Sequence, residues 1–262
     1  MLPPTEIMHM PLDRTTAGHP HRGFPLQFSS GRPGVIAPIQ RLAPDARKGH
    51  APLSLVSFFG QVVSDHRHTG AVAPSSVWVA KELAKTLTAA PAGVAPRKVL
   101  EAGPGTGALT ATLVDALRPG DHLTLCEING VFVKHLERRF GSEGRLAAKR
   151  AQVTIHHGPV EDLGLHDHFD HIVCGLPFNN FEPELVERIF KGFEDALRAG
   201  GTVDFFEYVA IRRIKAPFVN KAERIRLRAV AKVLGDRLDR HQHRRKFIAI
   251  NFPPAWTHHL KY

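Results

Sequence analysis

Lys98-Val-Leu-Glu-Ala-Gly-Pro-Gly-Thr-Gly-Ala108 and, one helix later, Leu123-Thr-Leu-Cys-Glu-Ile128 decide the fold of this chain. An apolar strand runs into Glu101 and then into a turn with glycines at Gly103, Gly105 and Gly107. Glycine adopts backbone angles that other residues resist, and its missing side chain leaves room for a ligand. A second strand ends on Glu127, 20 positions past Gly107, about where a Rossmann-type unit places the acid that grips ribose hydroxyls. Strand, glycine loop, helix, strand and acid in that order predict a nucleoside site. A Gly-rich turn that holds no ligand is the plainer alternative.

A dinucleotide-binding loop reads G-x-G-x-x-G and rests a pyrophosphate on a helix N-terminus. Here the loop reads Glu101-x-Gly-x-Gly-x-Gly107, is stiffened by Pro104, and holds no basic residue to meet a phosphate. That disfavours NAD and ATP. The pattern resembles motif I of the class I S-adenosylmethionine (SAM) methyltransferases. The resemblance implies S-adenosyl-L-methionine as cofactor, with the three glycines making room for its methionine and ribose parts and Glu127 on the ribose. It also implies cofactor contacts from Ser76, Glu101, Ile128, Val160, Glu161 and Gly175.

Length and composition fit one enzyme domain with an extension. A chain of 262 residues can bury a full α/β core. No apolar run approaches the ~20 residues needed to span a bilayer. The start, Met1-Leu-Pro-Pro-Thr-Glu-Ile-Met8, lacks the charged opening and apolar block of a secretory signal. Two cysteines, Cys126 and Cys174, read as reduced core thiols rather than a disulfide or a metal site. No metal is expected, and the protein is expected in the cytoplasm.

Residues 1–50 are rich in Pro, with scattered His, Gly and Arg and no periodicity, and predict a poorly ordered tail. Residues 51–68 hold an apolar helix candidate, Leu53–Ser64, and 69–262 carry the pattern of a catalytic domain. Within it, Ser76–Leu87 reads as a helix, Val99–Glu101 as a strand and Ala108–Leu117 as a helix. Leu123–Glu127, Val153–His156, Asp170–Cys174 and Thr202–Val209 read as strands, with helices at Val131–Phe140, Glu184–Leu197 and Lys221–Leu234. Lys246–Phe252 closes the sheet. Alternation of this kind predicts an α/β fold, a mostly parallel sheet with helices on both faces. The resemblance implies a Rossmann-like class I methyltransferase fold with seven strands. Ligands in such sheets sit beyond the C-terminal strand ends.

Two further strand ends add detail. After the third strand comes Gly158-Pro-Val-Glu-Asp162, where methyltransferases often set an acid against the adenine amino group. Glu161 is preferred to Asp162, and either is alternatively a solvated loop acid. After the fourth comes Gly175-Leu-Pro-Phe-Asn-Asn180, which resembles the motif IV loop of N-methyltransferases. The resemblance implies that Leu176, Pro177, Phe178 and Asn179 line the space beside the sulfonium. Asn179-Asn180 has a simpler reading as turn and helix-cap chemistry. Backbone carbonyls and an aromatic face can hold an amine in line with the methyl carbon without adding a rival nucleophile. Glu207 is a candidate to orient that amine or take its proton. Tyr208 and water are alternatives.

Gly70-Ala-Val-Ala-Pro-Ser-Ser76, together with Gly175-Leu-Pro177 and Asn251-Phe-Pro-Pro-Ala255, is similar to the bacterial phospholipid N-methyltransferases. Those enzymes resemble rRNA adenine dimethyltransferases in their cofactor motifs. The similarity covers roughly residues 53–258. Val77 stands where that family suggests a basic residue, and Phe178-Asn-Asn180 replaces a more apolar sequence.

Charge points the same way. Arg212–Lys246 holds 13 Lys and Arg against Glu223, Asp236 and Asp239, a net +10, which equals the charge of the whole chain. Such a block predicts an anionic surface partner, or else a solvated helix face. The Leu53–Ser64 helix, with Phe58, Phe59, Val62 and Val63, suits a membrane interface or a lid. The expectation is therefore a SAM-dependent N-methyltransferase acting on an amino lipid, such as phosphatidylethanolamine or an ornithine lipid. It would sit peripherally on the inner membrane face, with nucleic acid a less favoured partner. The alternatives are an RNA adenine N6-methyltransferase and a non-enzymatic SAM-fold interaction module.

Overall fold

The computed structural model of the chain describes residues 76–89, 95–209, 221–251 and 254–262. The expected tail 1–50, the helix at 51–68, Gly70–Ser75 and Arg212–Asn220 lie outside the described residues. The helices are α1 Ser76–Leu83, α2 Lys85–Thr88, α3 Ala108–Ala116, α4 Gly130–Ser142, α5 Gly144–Ala148, α6 Pro183–Ala196 and α7 Lys221–His241. The strands are β1 Lys98–Ala102, β2 His122–Glu127, β3 Val153–His157, β4 Phe169–Cys174, β5 Leu197–Tyr208, β6 Gln242–Ile248 and β7 Ala255–Lys261.

These strands form one seven-stranded sheet in the order β3-β2-β1-β4-β5-β7-β6. β1 to β5 are parallel, and β7 runs antiparallel between β5 and β6. From β1 the chain winds outward to β3, then returns to the other flank of β1 at β4. A reversal of this kind opens a crevice beyond the C-terminal ends of the two strands that flank it. Alternate strand residues point to opposite faces. Leu100, Ala102, Ile172, Cys174, Val203 and Phe205 pack with α6 and α7, while Val99, Leu123, Leu125 and Val173 pack with α1, α3 and α4.

Helix α6 shows why the sequence folds this way. Pro183 starts it, where the missing N–H costs nothing. Leu185, Val186, Ile189, Phe190, Phe193 and Ala196 then repeat at helical spacing and are all buried. Each large side chain contributes about 1.5–3 kcal/mol. At the opposite end of the sheet, buried Arg97 binds Asp121 through Nη2 and Oδ2 at 2.5 Å and also meets the Leu87 carbonyl. Burial alone would raise the Asp121 carboxyl. Hydrogen bonds from the Arg97 side chain and from the backbone N–H groups of Arg97 and Arg118 hold it at about 2 instead.

Several sequence-based boundaries need correction. The helix expected at Ser76–Leu87 divides at Ala84 into α1 and α2. β5 begins at Leu197, not Thr202, with an irregular stretch at Gly200 and Gly201 where it pairs with β4. Helix α7 runs to His241, past Gly235. The strand expected at Lys246–Phe252 is β6, ending at Ile248, and the seventh strand, β7, follows it. Cys126 and Cys174 are free and buried.

Candidate active site

The glycine loop after β1 is a left-handed backbone excursion. Gly103, Gly105 and Gly107 have φ of 72°, 56° and 82°, a region that costs other residues roughly 1–2 kcal/mol. Gly103 donates its N–H to Cys126 O, and Gly175 donates to Ala102 O. The two loops therefore close on each other at the reversal point. A Cβ on Gly175 would lie 2.8 Å from Gly103 O, and one on Gly103 would lie 2.4 Å from Leu176 Cδ2. At Gly105, by contrast, a Cβ would meet nothing within 4 Å. That position faces open space.

Glu127 ends β2 beside this loop. Its Oε2 accepts the Gly105 N–H at 3.0 Å, and its Oε1 accepts the Asn129 N–H at 2.8 Å. Each carboxylate oxygen keeps a second lone pair for a hydroxyl donor. Burial raises the Glu127 carboxyl, opposed by the N–H groups of Asn129, Gly105 and Ile128. Next to it opens a cleft. Gly103, Glu127, Ile128, Val160, Glu161 and Leu176, all expected at the site, line it. Cys126, Gly158, Pro159, Phe181, Leu185 and Ile189 line it too, and were not expected. The last three come from the loop after β4 and from α6. Their apolar periodicity marks them as core, and nothing in the sequence separates core from cleft wall there. Glu161 is half-buried, and burial raises its carboxyl.

Glu101 does not reach the cleft. It is fully buried beneath the glycine loop. Burial pushes its carboxyl up to about 8, aided by the charge of Glu127 and opposed by hydrogen bonding from Thr110. It is not among the residues that line the cleft. Between the usual 4.5 and about 8 the folded chain keeps this proton and the unfolded chain releases it, so stability falls as pH rises through that window. Glu101→Gln should abolish this slope. Urea unfolding at acid and alkaline pH should show the variant gaining on the order of a few kcal/mol over the wild type only at alkaline pH. Parallel pH profiles for the two proteins would refute this account.

Beyond Gly175, Pro177 is exposed, and Phe178–Asn180 form a single turn of 3-10 helix. Phe178 is not turned toward the cleft. It is 3% exposed and packs against Phe181, Phe190 and Phe205. Asn179 is half-buried, and its Oδ1 is buried with no hydrogen-bond partner among the described residues. Arg226 of α7 holds this turn by donating to Asn179 O at 2.9 Å and to Phe181 O. Glu207, near the C-terminal end of β5, lies 3.3 Å from His258 Nε2. Gly107 caps α3, and Ser76 begins α1.

These residues fit the cofactor. Gly105 leaves open space, the Glu127 carboxylate has lone pairs for hydroxyl donors, and Ile128 and Val160 give apolar walls. Comparison with known proteins agrees. Residues 99–201 match the family described as "Methyltransferase domain". The ornithine lipid N-methyltransferase of Singulisphaera acidiphila is 28% identical over 152 residues, 55% of this chain and 73% of that protein. Among solved structures, a 1,6-didemethyltoxoflavin N1-methyltransferase from Burkholderia thailandensis, bound to its substrate and S-adenosylhomocysteine, is 15% identical. It covers 83% of this chain and 93% of its own, with a TM-score of 0.55. The N-methyltransferase NodS from Bradyrhizobium japonicum, with S-adenosylhomocysteine, is 16% identical over 72% of this chain and 87% of its own, at 0.52. The O-methyltransferase TomG from Streptomyces achromogenes, with SAM, is 20% identical over 75% and 85%, at 0.51. The chain is a SAM-dependent methyltransferase with the Rossmann-like class I fold.

Proposed function

We propose that this enzyme N-methylates an amino lipid, such as phosphatidylethanolamine or an ornithine lipid, at the cytoplasmic face of a membrane. The observation that carries this reading is the loop after β4, where Phe178 is packed into the core and Asn179 Oδ1 is left as a buried acceptor. An adenine must be unstacked and held flat, usually against an aromatic face. Phe178 does not offer one, and Phe181, the aromatic residue of this loop that lines the cleft, is itself only 4% exposed and packed edge-on against Phe178. A small alkylammonium needs only hydrogen-bond acceptors and a clear line to the methyl carbon, which Asn179 Oδ1 suits. The ornithine lipid N-methyltransferase among the relatives supports the same class of acceptor.

SAM supplies an electrophilic methyl group on a sulfonium. The chain binds, orients and excludes water. Leu176, packed against Gly103, walls the boundary between cofactor and acceptor. Arg226 fixes the Asn179 turn through two backbone carbonyls.

Helix α7 also supports a membrane. Lys221, Arg224, Arg228 and Lys232 are exposed at spacings that place them on one side, with Ile225 57% exposed among them. The charge block expected at Arg212–Lys246 is thus partly spent inside the protein. Arg226 grips the loop, buried Arg237 pairs with Glu187, and Arg244 and Lys246 bind Glu82. Near an anionic leaflet each free cation contributes on the order of 1 kcal/mol. Arg224→Glu/Arg228→Glu/Lys232→Glu should weaken binding to phosphatidylglycerol vesicles by more than about 100-fold at low salt, while SAM affinity holds because Arg226 is untouched. Added salt should weaken the wild type as well. Equal sedimentation with neutral and anionic vesicles at low salt would count against this face.

The reading is tested by supplying labelled SAM with phosphatidylethanolamine vesicles, ornithine lipid vesicles or purified rRNA. Label should enter a lipid headgroup and raise its mass by methyl increments. Site-specific labelling of rRNA, with none in either lipid, would replace this reading by RNA adenine N6-methylation.

A further inference from the structure

Opposed residues of the antiparallel pair β5–β7 point to the same face, and Phe205 lies opposite His258. The two rings stack at 5.0 Å and 23°. Phe205 also packs on Phe178 and pairs with Cys174, so Glu207, two residues further on, lies level with the start of the loop at Leu176. His258 is 5% exposed. Its Nδ1 lies 2.7 Å from Gln242 Oε1 of β6, and its Nε2 lies 3.3 Å from Glu207 Oε2.

With Gln242 Oε1 turned to the ring, one assignment of the protons follows. An amide oxygen only accepts, so Nδ1 carries a hydrogen. In the neutral ring Nε2 then presents a lone pair to a carboxylate oxygen. Adding one proton turns this contact into a charge-assisted hydrogen bond. Among the described residues, two neighbouring cations are turned elsewhere. Arg245 of β6, opposite His258, lays its guanidinium over Trp256 at 4.9 Å. α7 contributes Val230 and Leu234 to this face of the sheet, and its buried Arg237 is engaged by Glu187 and Glu194.

We propose that Glu207 and His258, with Gln242 fixing the tautomer, form the proton acceptor for the substrate ammonium. The proposal rests on amine methylation as the reaction. Glu207 takes one N–H proton from R–NH3⁺, and the proton passes to His258 Nε2, leaving an imidazolium. The freed nitrogen lone pair forms the N–CH3 bond. The C–S bond breaks with its electrons on sulfur, giving S-adenosylhomocysteine and a methylated ammonium product. Glu207 is the catalytic residue, and His258 is a positioning residue that acts through it. Water-mediated loss of the proton is the competing route.

Two measurements test this. With phosphatidylethanolamine or ornithine lipid vesicles, His258→Asn should lower kcat/KM about 100-fold at neutral pH. The deficit should shrink towards about pH 10, where an alkylamine sheds its own proton. SAM affinity by calorimetry should be unchanged. A deficit constant across pH overturns the proposal, since a purely structural role predicts that result. Independently of any substrate, nitrogen-15 histidine NMR of the whole protein should show the His258 ring passing from imidazolium to the neutral Nδ1–H form. A neutral Nε2–H ring overturns the proposal whatever the acceptor is. Wild-type protein that shows the Nδ1–H signature but methylates neither lipid overturns the lipid reading and leaves the proton acceptor standing.

Discussion

Gly105→Val will abolish SAM binding in a protein that still folds. Gly105 sits at φ 56° with nothing within 4 Å of the position its Cβ would take, so a side chain there meets no protein atom. The fold loses only the cost of holding a β-branched residue in a left-handed conformation, roughly 1–2 kcal/mol. The ligand loses far more. Valine's methyl groups would occupy the opening between the glycine loop and Glu127, and Glu127 Oε2 is itself tied to the Gly105 N–H. A shift of this backbone therefore moves the ribose acid as well. Titration calorimetry should show affinity falling by more than about 100-fold, equivalent to about 2.7 kcal/mol. Thermal unfolding should remain cooperative, with a midpoint a few degrees lower. Neighbouring Gly103 behaves differently. A Cβ there would collide with Leu176 Cδ2, so Gly103→Ala should disturb the acceptor loop as well as the cofactor. Wild-type-like SAM affinity in folded Gly105→Val protein would remove the glycine loop from the cofactor site.

The central sheet was legible because parallel strands buried on both faces read as continuous apolar runs between turn signals. Ile172–Cys174 is wholly apolar, and Val99–Ala102 and Leu123–Glu127 are apolar but for Glu101, Thr124 and Glu127. The C-terminal hairpin was not. β6, Gln242-His-Arg-Arg-Lys-Phe-Ile248, is an edge strand exposed over most of its length, and charged edges guard against pairing with other chains. By composition it resembles a continuation of the basic helix before it. β7 hides two histidines, His258 and His259, that look like surface residues. Each is buried because a partner waits: Glu207 and Gln242 for His258, Asp204 at 2.8 Å and Arg244 at 3.0 Å for His259. Those partners lie 15 to 55 positions away along the chain, so no local pattern announces them.

At the site, the same distinction holds. Glycine spacing and the acid at Glu127 found the cleft, since backbone geometry imposes both. Charge counting found the basic block but not that Arg226 and Arg237 turn inward, because a count carries no direction. Glu101 reads as a ligand-facing acid by motif position, yet strand alternation sends it beneath the loop. Phe178 was expected beside the sulfonium from its place in the loop. Its neighbours in space, Phe190 from α6 and Phe205 from β5, are what draw it inside.

Phe178→Ala separates those two roles for the aromatic ring. If the ring serves the core, its loss leaves a cavity among Phe181, Phe190 and Phe205, whose ring centroids now lie 5.1 to 6.5 Å from its own. Truncations of this kind cost about 3–5 kcal/mol. For a domain of this size that corresponds to a fall in Tm of about 10 °C or more. Phe178→Leu refills most of the volume and should recover most of the stability, with SAM affinity and methyl transfer close to wild type wherever the protein is folded. A ring needed against the acceptor would give the reverse. Both variants would then unfold like the wild type and lose turnover together, since leucine supplies volume but no aromatic face. Calorimetric unfolding and single-turnover methyl transfer on the same two proteins decide the matter. Loss of turnover without loss of stability would return Phe178 to the acceptor site and reopen the way to a flat, stacked substrate.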